Sequence, residues 1–173
     1  MKHIVIIIYL IAPLKMLAQS IEIITNEHIY VCDTVSGELF CKNNKVKSVV
    51  QCKEYYSREK AQTFYPYLMM GFSHEEVKEL TQSNSSFALE TFVDSTGVIK
   101  EVKFILTSSF KRQVLTKDVL VTQLDLFAKN IIGLKIDFKS KCGIDGYFRL
   151  TTWIRFKHLY HWLQNYPNLT IKE

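Results

Sequence analysis

The chain has 173 residues, enough for one domain with a full core or for one domain with a small extension. Hydrophobic residues make up 47% and charged residues 23%, ordinary values for a globular protein, which removes disorder as the default. Its 22 basic and 17 acidic residues are mixed in sign along the chain, and a net charge of +5 is too mild to mark nucleic acid or an anionic membrane as the partner.

The first twenty residues, MKHIVIIIYLIAPLKMLAQS, have a basic opening at Lys2, an apolar run from Ile4 to Leu14, and a small residue, Ala18, before Gln19. That is the layout of a secretory signal peptide over residues 1–18. An uncleaved anchor is the alternative, but the run is 11 residues long, short of the roughly 20 a helical span needs. Cleavage removes Lys2 and Lys15, leaving 20 basic and 17 acidic residues, a charge of +3. The expected location is periplasmic or secreted, with no stable membrane span after cleavage.

All four cysteines, Cys32, Cys41, Cys52 and Cys142, lie beyond the signal segment. An even count in an oxidising compartment predicts disulfides, with three possible connectivities. Cys32 and Cys41 flank the turn-rich DTVSGELF, so the expected pairing is Cys32–Cys41 with Cys52–Cys142. The second bridge would close a loop of about 90 residues and stabilise by several kcal/mol on the chain-entropy model. The spacing contains no Cys-x2-Cys knuckle, which argues against zinc.

Short strands are predicted at IEIIT, HIYVC, LFCK and KVKSVVQC, a β-rich stretch carrying three of the cysteines. The segment KEYYSREKAQTFYPYLMMGF has loose helical spacing that Pro66 should end or kink. SHEEVKEL is clearer: Ser73 with Glu76 three residues later is a capping box, and Val77 and Leu80 give the helix an apolar side. TQSNSS then reads as a connector.

The second half is the most legible. FALETFV alternates with Phe87, Leu89 and Val93 on one face, and VIKEVKFIL with Val98, Val102, Phe104 and Leu106. Between them Asp94-Ser95-Thr96-Gly97 reads as a hairpin turn, its glycine supplying positive φ. No histidine is near enough in sequence to make Asp94 and Ser95 a catalytic pair, and the spaced carboxylates of a calcium loop are missing. From Lys117 to Ile132 the period becomes helical. Leu120, Leu124, Phe127, Ala128 and Ile131 form a stripe, Thr116 is the expected cap, and Gly133 stands at the C-terminus. GYFRLTTWIRF is the last strand, with Phe148, Leu150, Ile154 and Phe156 on one face and Tyr147, Arg149, Thr151, Trp153 and Arg155 on the other.

The order strand, strand, helix, strand gives an α+β fold with an antiparallel sheet. Those pieces, FALETFVDSTGVIKEVKFIL, DVLVTQLDLFAKNII and GYFRLTTWIRF, resemble the C-terminal domain of TonB and its relatives over about residues 85–156. The Ala18-Gln19 junction likewise resembles that of exported Bacteroidetes proteins. The Pro-rich spacer of TonB is missing, since the chain has three prolines in all, so its energy-transducing role does not carry over. The expected domains are therefore a signal peptide (1–18), a β-rich cysteine-bearing extension (19–84) and a TonB-like α+β domain (85–173).

The resemblance implies a binding domain rather than an enzyme, one that engages an envelope protein or peptide by strand-edge pairing. Tyr147, Arg149, Trp153 and Arg155 are the candidate contact residues, because arginine and aromatics are enriched at interfaces. The same face would equally suit packing on the N-terminal β segment. No cofactor or metal is expected. The alternative is a small envelope hydrolase or metal enzyme. It would use His158 and His161, an H-x-x-H pair without an adjacent glutamate, or a free cysteine with His28 or His158 as base.

Overall fold

Two long alternating segments, β5 (Ser86–Val93) and β6 (Ile99–Leu106), form the central hairpin of the fold in a computed structural model of the chain. The structure describes residues 20–44, 49, 55–57, 61–140 and 146–166. The signal segment, the strand expected over 45–52 (Val49 apart), Cys52 and Cys142 lie outside the described residues.

Around the hairpin, β1 (Ser20–Ile24), β2 (Ile29–Asp33), β3 (Glu38–Cys41) and β8 (Phe148–Arg155) complete a six-stranded antiparallel sheet of order β1-β2-β3-β6-β5-β8. The α+β antiparallel architecture read from the sequence is therefore present. Strands from both sides of position 84 share this sheet, and their apolar residues share one core. A separate two-stranded sheet pairs β4 (Tyr55–Ser57) with β7 (Phe138–Ser140).

Strand register sorts the residues into two faces. On the inner face Cys32, Leu39, Phe104, Leu89 and Thr152 form one rung across five strands. On the outer face the neighbouring rung is Val31, Phe40, Lys103, Glu90 and Thr151.

The inner face carries the helices α1 (Ala61–Leu68), α2 (His74–Gln82), α3 (Ser108–Val114), α4 (Asp118–Ile131) and α5 (Phe156–Asn165). The expected stripe on α4 is buried throughout: Leu120, Leu124, Phe127, Ala128 and Ile131. Phe87 lies at the centre of an aromatic cluster, its ring centroid 5.6 Å from Phe104, 5.8 Å from Phe110, 6.0 Å from Phe156 and 6.5 Å from Phe127. One strand residue thus joins β6 to three helices. Each fully buried ring contributes on the order of 1.5–3 kcal/mol from removal of apolar surface. No helix among the described residues is long and apolar enough to cross a membrane.

Local chemistry fixes the ends of the elements. Ser73 Oγ accepts from Glu76 N at 3.3 Å, while Glu76 Oε2 accepts from Ser73 N at 2.8 Å, which completes the capping box on α2. The far end is a Schellman motif: Asn84 takes φ +52°, Asn84 N–H donates to Thr81 O, and Ser85 N–H donates to Leu80 O. At the hairpin turn Gly97 has φ +85°, and an added Cβ would lie 2.8 Å from Ile136 O.

Several expectations need correction. α1 continues past Pro66 to Leu68, because a proline there removes one hydrogen bond, the one to Gln62 O, while Phe64, Tyr65 and Leu68 are anchored in the core. Ile99, not Val98, enters the core, because a β-bulge opposite Phe92 and Val93 shifts the alternation by one residue. Lys117, not Thr116, occupies the N-cap of α4, without a side-chain cap bond. Thr116 instead bonds back to Arg112 O and Gln113 O at the end of α3, a helix the periodicity did not reveal. Phe156 starts α5 and does not extend β8.

Candidate functional site

β8 stands at one end of the sheet order, paired only with β5 among the described residues. Its eight residues run without a bulge against Ser86 to Val93. Phe148, Leu150 and Ile154 turn inward and are buried, whereas Arg149, Thr151, Trp153 and Arg155 turn outward and are exposed. Tyr147, half-buried, precedes the strand. The structure therefore brings together Arg149, Trp153 and Arg155 on one strand face, with Tyr147 at its foot.

Trp153 is 54% exposed, so it does not lie beneath the N-terminal strands. Those strands join the opposite end of the same sheet. Trp153 stands opposite Ala88 on β5, whose single methyl leaves the indole room to lie open on the outer face. Two rungs away on the same face, Glu90 is only 6% exposed. Lys103 Nζ lies 4.0 Å from Glu90 Oε2 and 2.8 Å from Glu38 Oε1; Arg149 Nη1 lies 3.7 Å from Glu90 Oε1. Separations of 3.7 and 4.0 Å are Coulombic contacts, not hydrogen bonds. Among the described residues Glu90 Oε2 is a buried acceptor with no hydrogen-bond partner. The outer face beside Trp153 thus holds a carboxylate oxygen that the described residues leave without a donor, an arrangement that costs stability unless a donor arrives.

The cysteine expectation changes. Cys32 is fully buried and Cys41 half-buried, and both are free thiols. Cys32 stands opposite Leu39 and Cys41 opposite Tyr30, so the two are offset by two rungs, with Val31–Phe40 between them, and the expected Cys32–Cys41 bridge is not formed. Burial pushes the Cys32 thiol up, and nearby Asp33 adds to the shift against the pull of Lys111.

His158 and His161 both lie on α5 and line a cavity of about 530 Å³ with Gln62, Tyr65, Trp162 and Asn165. Among the described residues no three His, Cys, Asp or Glu side chains gather as a metal site would require.

Sequence reasoning missed a polar hub built on Asp125 of α4, a residue 5% exposed. Thr25 Oγ1 donates to Asp125 Oδ2 at 2.8 Å, and Tyr30 Oη donates to Oδ1 at 3.0 Å. His28 Nδ1 lies 2.9 Å from the same Oδ1. The turn that presents these groups is itself tied down: Thr25 N–H donates to His28 O, and His28 N–H donates to Thr25 Oγ1. Burial pushes the Tyr30 hydroxyl far above the usual phenol range, and the Asp125 charge and hydrogen bond add to the effect. Tyr30 is therefore a donor at any physiological pH. The hub opens on a cavity of about 290 Å³ whose lining includes His28, Tyr30, Cys41, Asn43, Asn44 and Asp125. One signal was present in the sequence. Asp125 lies one turn from both Val121 and Ala128, on the flank of the apolar stripe, where a carboxylate needs partners.

No family model matches the chain, and no curated protein matches it significantly. Among solved structures it is similar to a DUF5043 family protein from Bacteroides uniformis ATCC 8492, with a TM-score of 0.54 and 13% identity. The match covers 79% of this chain and 85% of that one. At this identity the likeness is one of fold.

Proposed function

We propose that the chain is an exported binding domain of the cell envelope, related in design to the TonB C-terminal domain, that captures an extended acidic segment of a protein partner along the edge of β8. The observation that carries this reading is a regular eight-residue edge strand flanked by an exposed tryptophan and two outward arginines. Proteins ordinarily blunt such an edge with bulges, prolines or short length, and β8 has none of these. A strand added there would satisfy the edge backbone groups and meet Trp153 on the outer face, the β-augmentation mode. Arg149 and Arg155 favour an acidic partner strand, and the orphan Glu90 oxygen favours one that also carries a donor such as serine, threonine or asparagine. The apolar run Ile4 to Leu14 and Ala18 support export to the periplasm or beyond.

The test is affinity capture from the cell envelope with the mature chain and with Trp153→Ala, followed by cross-linking to locate the partner's contact segment. Loss of a partner cross-linked at β8 is the expected result for Trp153→Ala, because truncation of a central aromatic typically costs on the order of 2 kcal/mol or more. Equal recovery by both proteins overturns the β8 reading.

A further inference from the structure

The Asp125 hub is more elaborate than packing requires. A carboxylate only accepts hydrogen bonds, so the 2.9 Å contact places a proton on His28 Nδ1 and leaves Nε2 as the ring's free nitrogen. The His28 side chain is 36% exposed, while that of Asp125 is 8% exposed. The imidazole is therefore held at Nδ1 by a buried carboxylate, and His28 lines the cavity. Cys41, a free thiol, lines the same cavity. Strand pairing explains the proximity: Cys41 stands opposite Tyr30, and Lys42 N–H donates to Ile29 O at 2.8 Å, so the ladder continues toward His28, on the same face as Tyr30 by alternation. Lys129 also lines the cavity, but Glu27 holds its ammonium at 2.7 Å. The titratable groups around His28 are thus Asp125, Tyr30, Cys41 and the Lys129–Glu27 pair.

We infer that this cavity is a second, chemical site of the molecule. In it Cys41 attacks a small acyl donor, an ester or thioester, His28 carries the proton, and Asp125 positions His28. The thiol proton passes to His28 Nε2 as Sγ bonds to the acyl carbon. The carbon–oxygen or carbon–sulfur bond to the leaving group then breaks, and the leaving group takes the proton back from Nε2. Water completes a turnover by the reverse sequence: its proton goes to Nε2, its oxygen bonds to the acyl carbon, and the bond to Sγ breaks to regenerate the thiol. Asn43 and Asn44 line the cavity, and in this proposal their side-chain amides serve as donors to the carbonyl oxygen. A volume of about 290 Å³ restricts the acyl group to a short one. The site is independent of β8, since it is built from the turn before β2, from β2, from β3 and the residues just after it, and from α4, away from β8 in the sheet order.

The experiment uses the intact mature chain with two probes, iodoacetamide and 4-nitrophenyl acetate, read by peptide mass mapping. At pH 7 the Cys41 thiol should alkylate about tenfold or more faster than the same thiol in urea-unfolded chain, and faster than the fully buried Cys32. His28→Gln should reduce the Cys41 rate about tenfold or more and move its pH profile to that of an ordinary thiol. 4-Nitrophenyl acetate should leave an acetyl group on Cys41 and release 4-nitrophenol, and Cys41→Ala should abolish both. Should His28→Gln fail to fold, Asp125→Asn decides: a shifted pH profile of Cys41 alkylation with circular dichroism unchanged supports the site. An unfolded-like Cys41 rate in the wild type, a rate indifferent to His28 or Asp125, or no acetyl adduct overturns it.

Discussion

Asp94 shows how far a single side chain can be read. Its Oδ1 accepts from Thr96 N at 2.9 Å, Thr96 Oγ1 at 2.7 Å and Val98 N at 3.0 Å, and Lys100 Nζ lies 3.1 Å from Oδ2. Burial pushes the carboxyl pKa up, but the bonds from Thr96, Val98 and Lys100 together outweigh it and hold the group down to about 2. Because the folded value lies below the ordinary 3.8, the stabilisation is fully present above pH 3.8 and is lost as pH falls through about 2. Asp94→Ala should destabilise by roughly 1–3 kcal/mol at pH 7 in urea unfolding, a difference that shrinks as pH falls from 4 to 2. A pH-independent difference would assign the effect to chain stiffness alone. That Asp94-Ser95-Thr96-Gly97 is a turn was legible because turn chemistry is local: one carboxylate folds back on its own next four residues. The hub on Asp125 was not, because its partners Thr25 and His28 lie in the β1–β2 turn and Tyr30 in β2, and only the folded sheet delivers them.

Among the elements, those with their own stop signals were legible and those held by context were not. α2 announces both ends, with Ser73 and Glu76 at the start and Asn84 in the left-handed region after the finish. Ser73→Ala should cost about 1 kcal/mol, measured by urea unfolding, and Ser73→Asp should restore most of it. If alanine were neutral there, tertiary packing of Val77 and Leu80 would be what defines the helix start. α3 has no side-chain cap and only Phe110 and Val114 buried across its seven residues, too short a run for periodicity to register. The misassigned core residue at the start of β6 has a similar origin. A bulge changes the phase of an alternating strand, and nothing in Val98-Ile99-Lys100 signals it locally.

For the molecule as a whole, the architecture rests on a core that crosses the expected boundary at residue 84. Phe87→Ala should destabilise by about 3–5 kcal/mol, since the ring touches four others and the cavity cannot be refilled from one side. Tryptophan fluorescence and far-UV circular dichroism should report the same lowered urea midpoint; separate transitions would mean that the two ends of the sheet unfold independently. The α+β class and the hairpin could be read from the chain because period and turn residues are local quantities. That the cysteine-bearing strands extend the same sheet could not, because β3 finds β6 through backbone pairing that leaves no periodic trace in either segment.

That pairing sets an order of events in time. Leu39 waits for Phe104, and Leu89 waits for Thr152, so the two long-range seams, β3–β6 and β5–β8, close only after most of the chain has been made. The early strands can form a short meander of marginal stability, and the helices that cover its inner face arrive later in the chain. Closure of such distant pairings is slow compared with local hairpin formation. A nascent chain of this topology completes its six-stranded sheet only when its last strand appears.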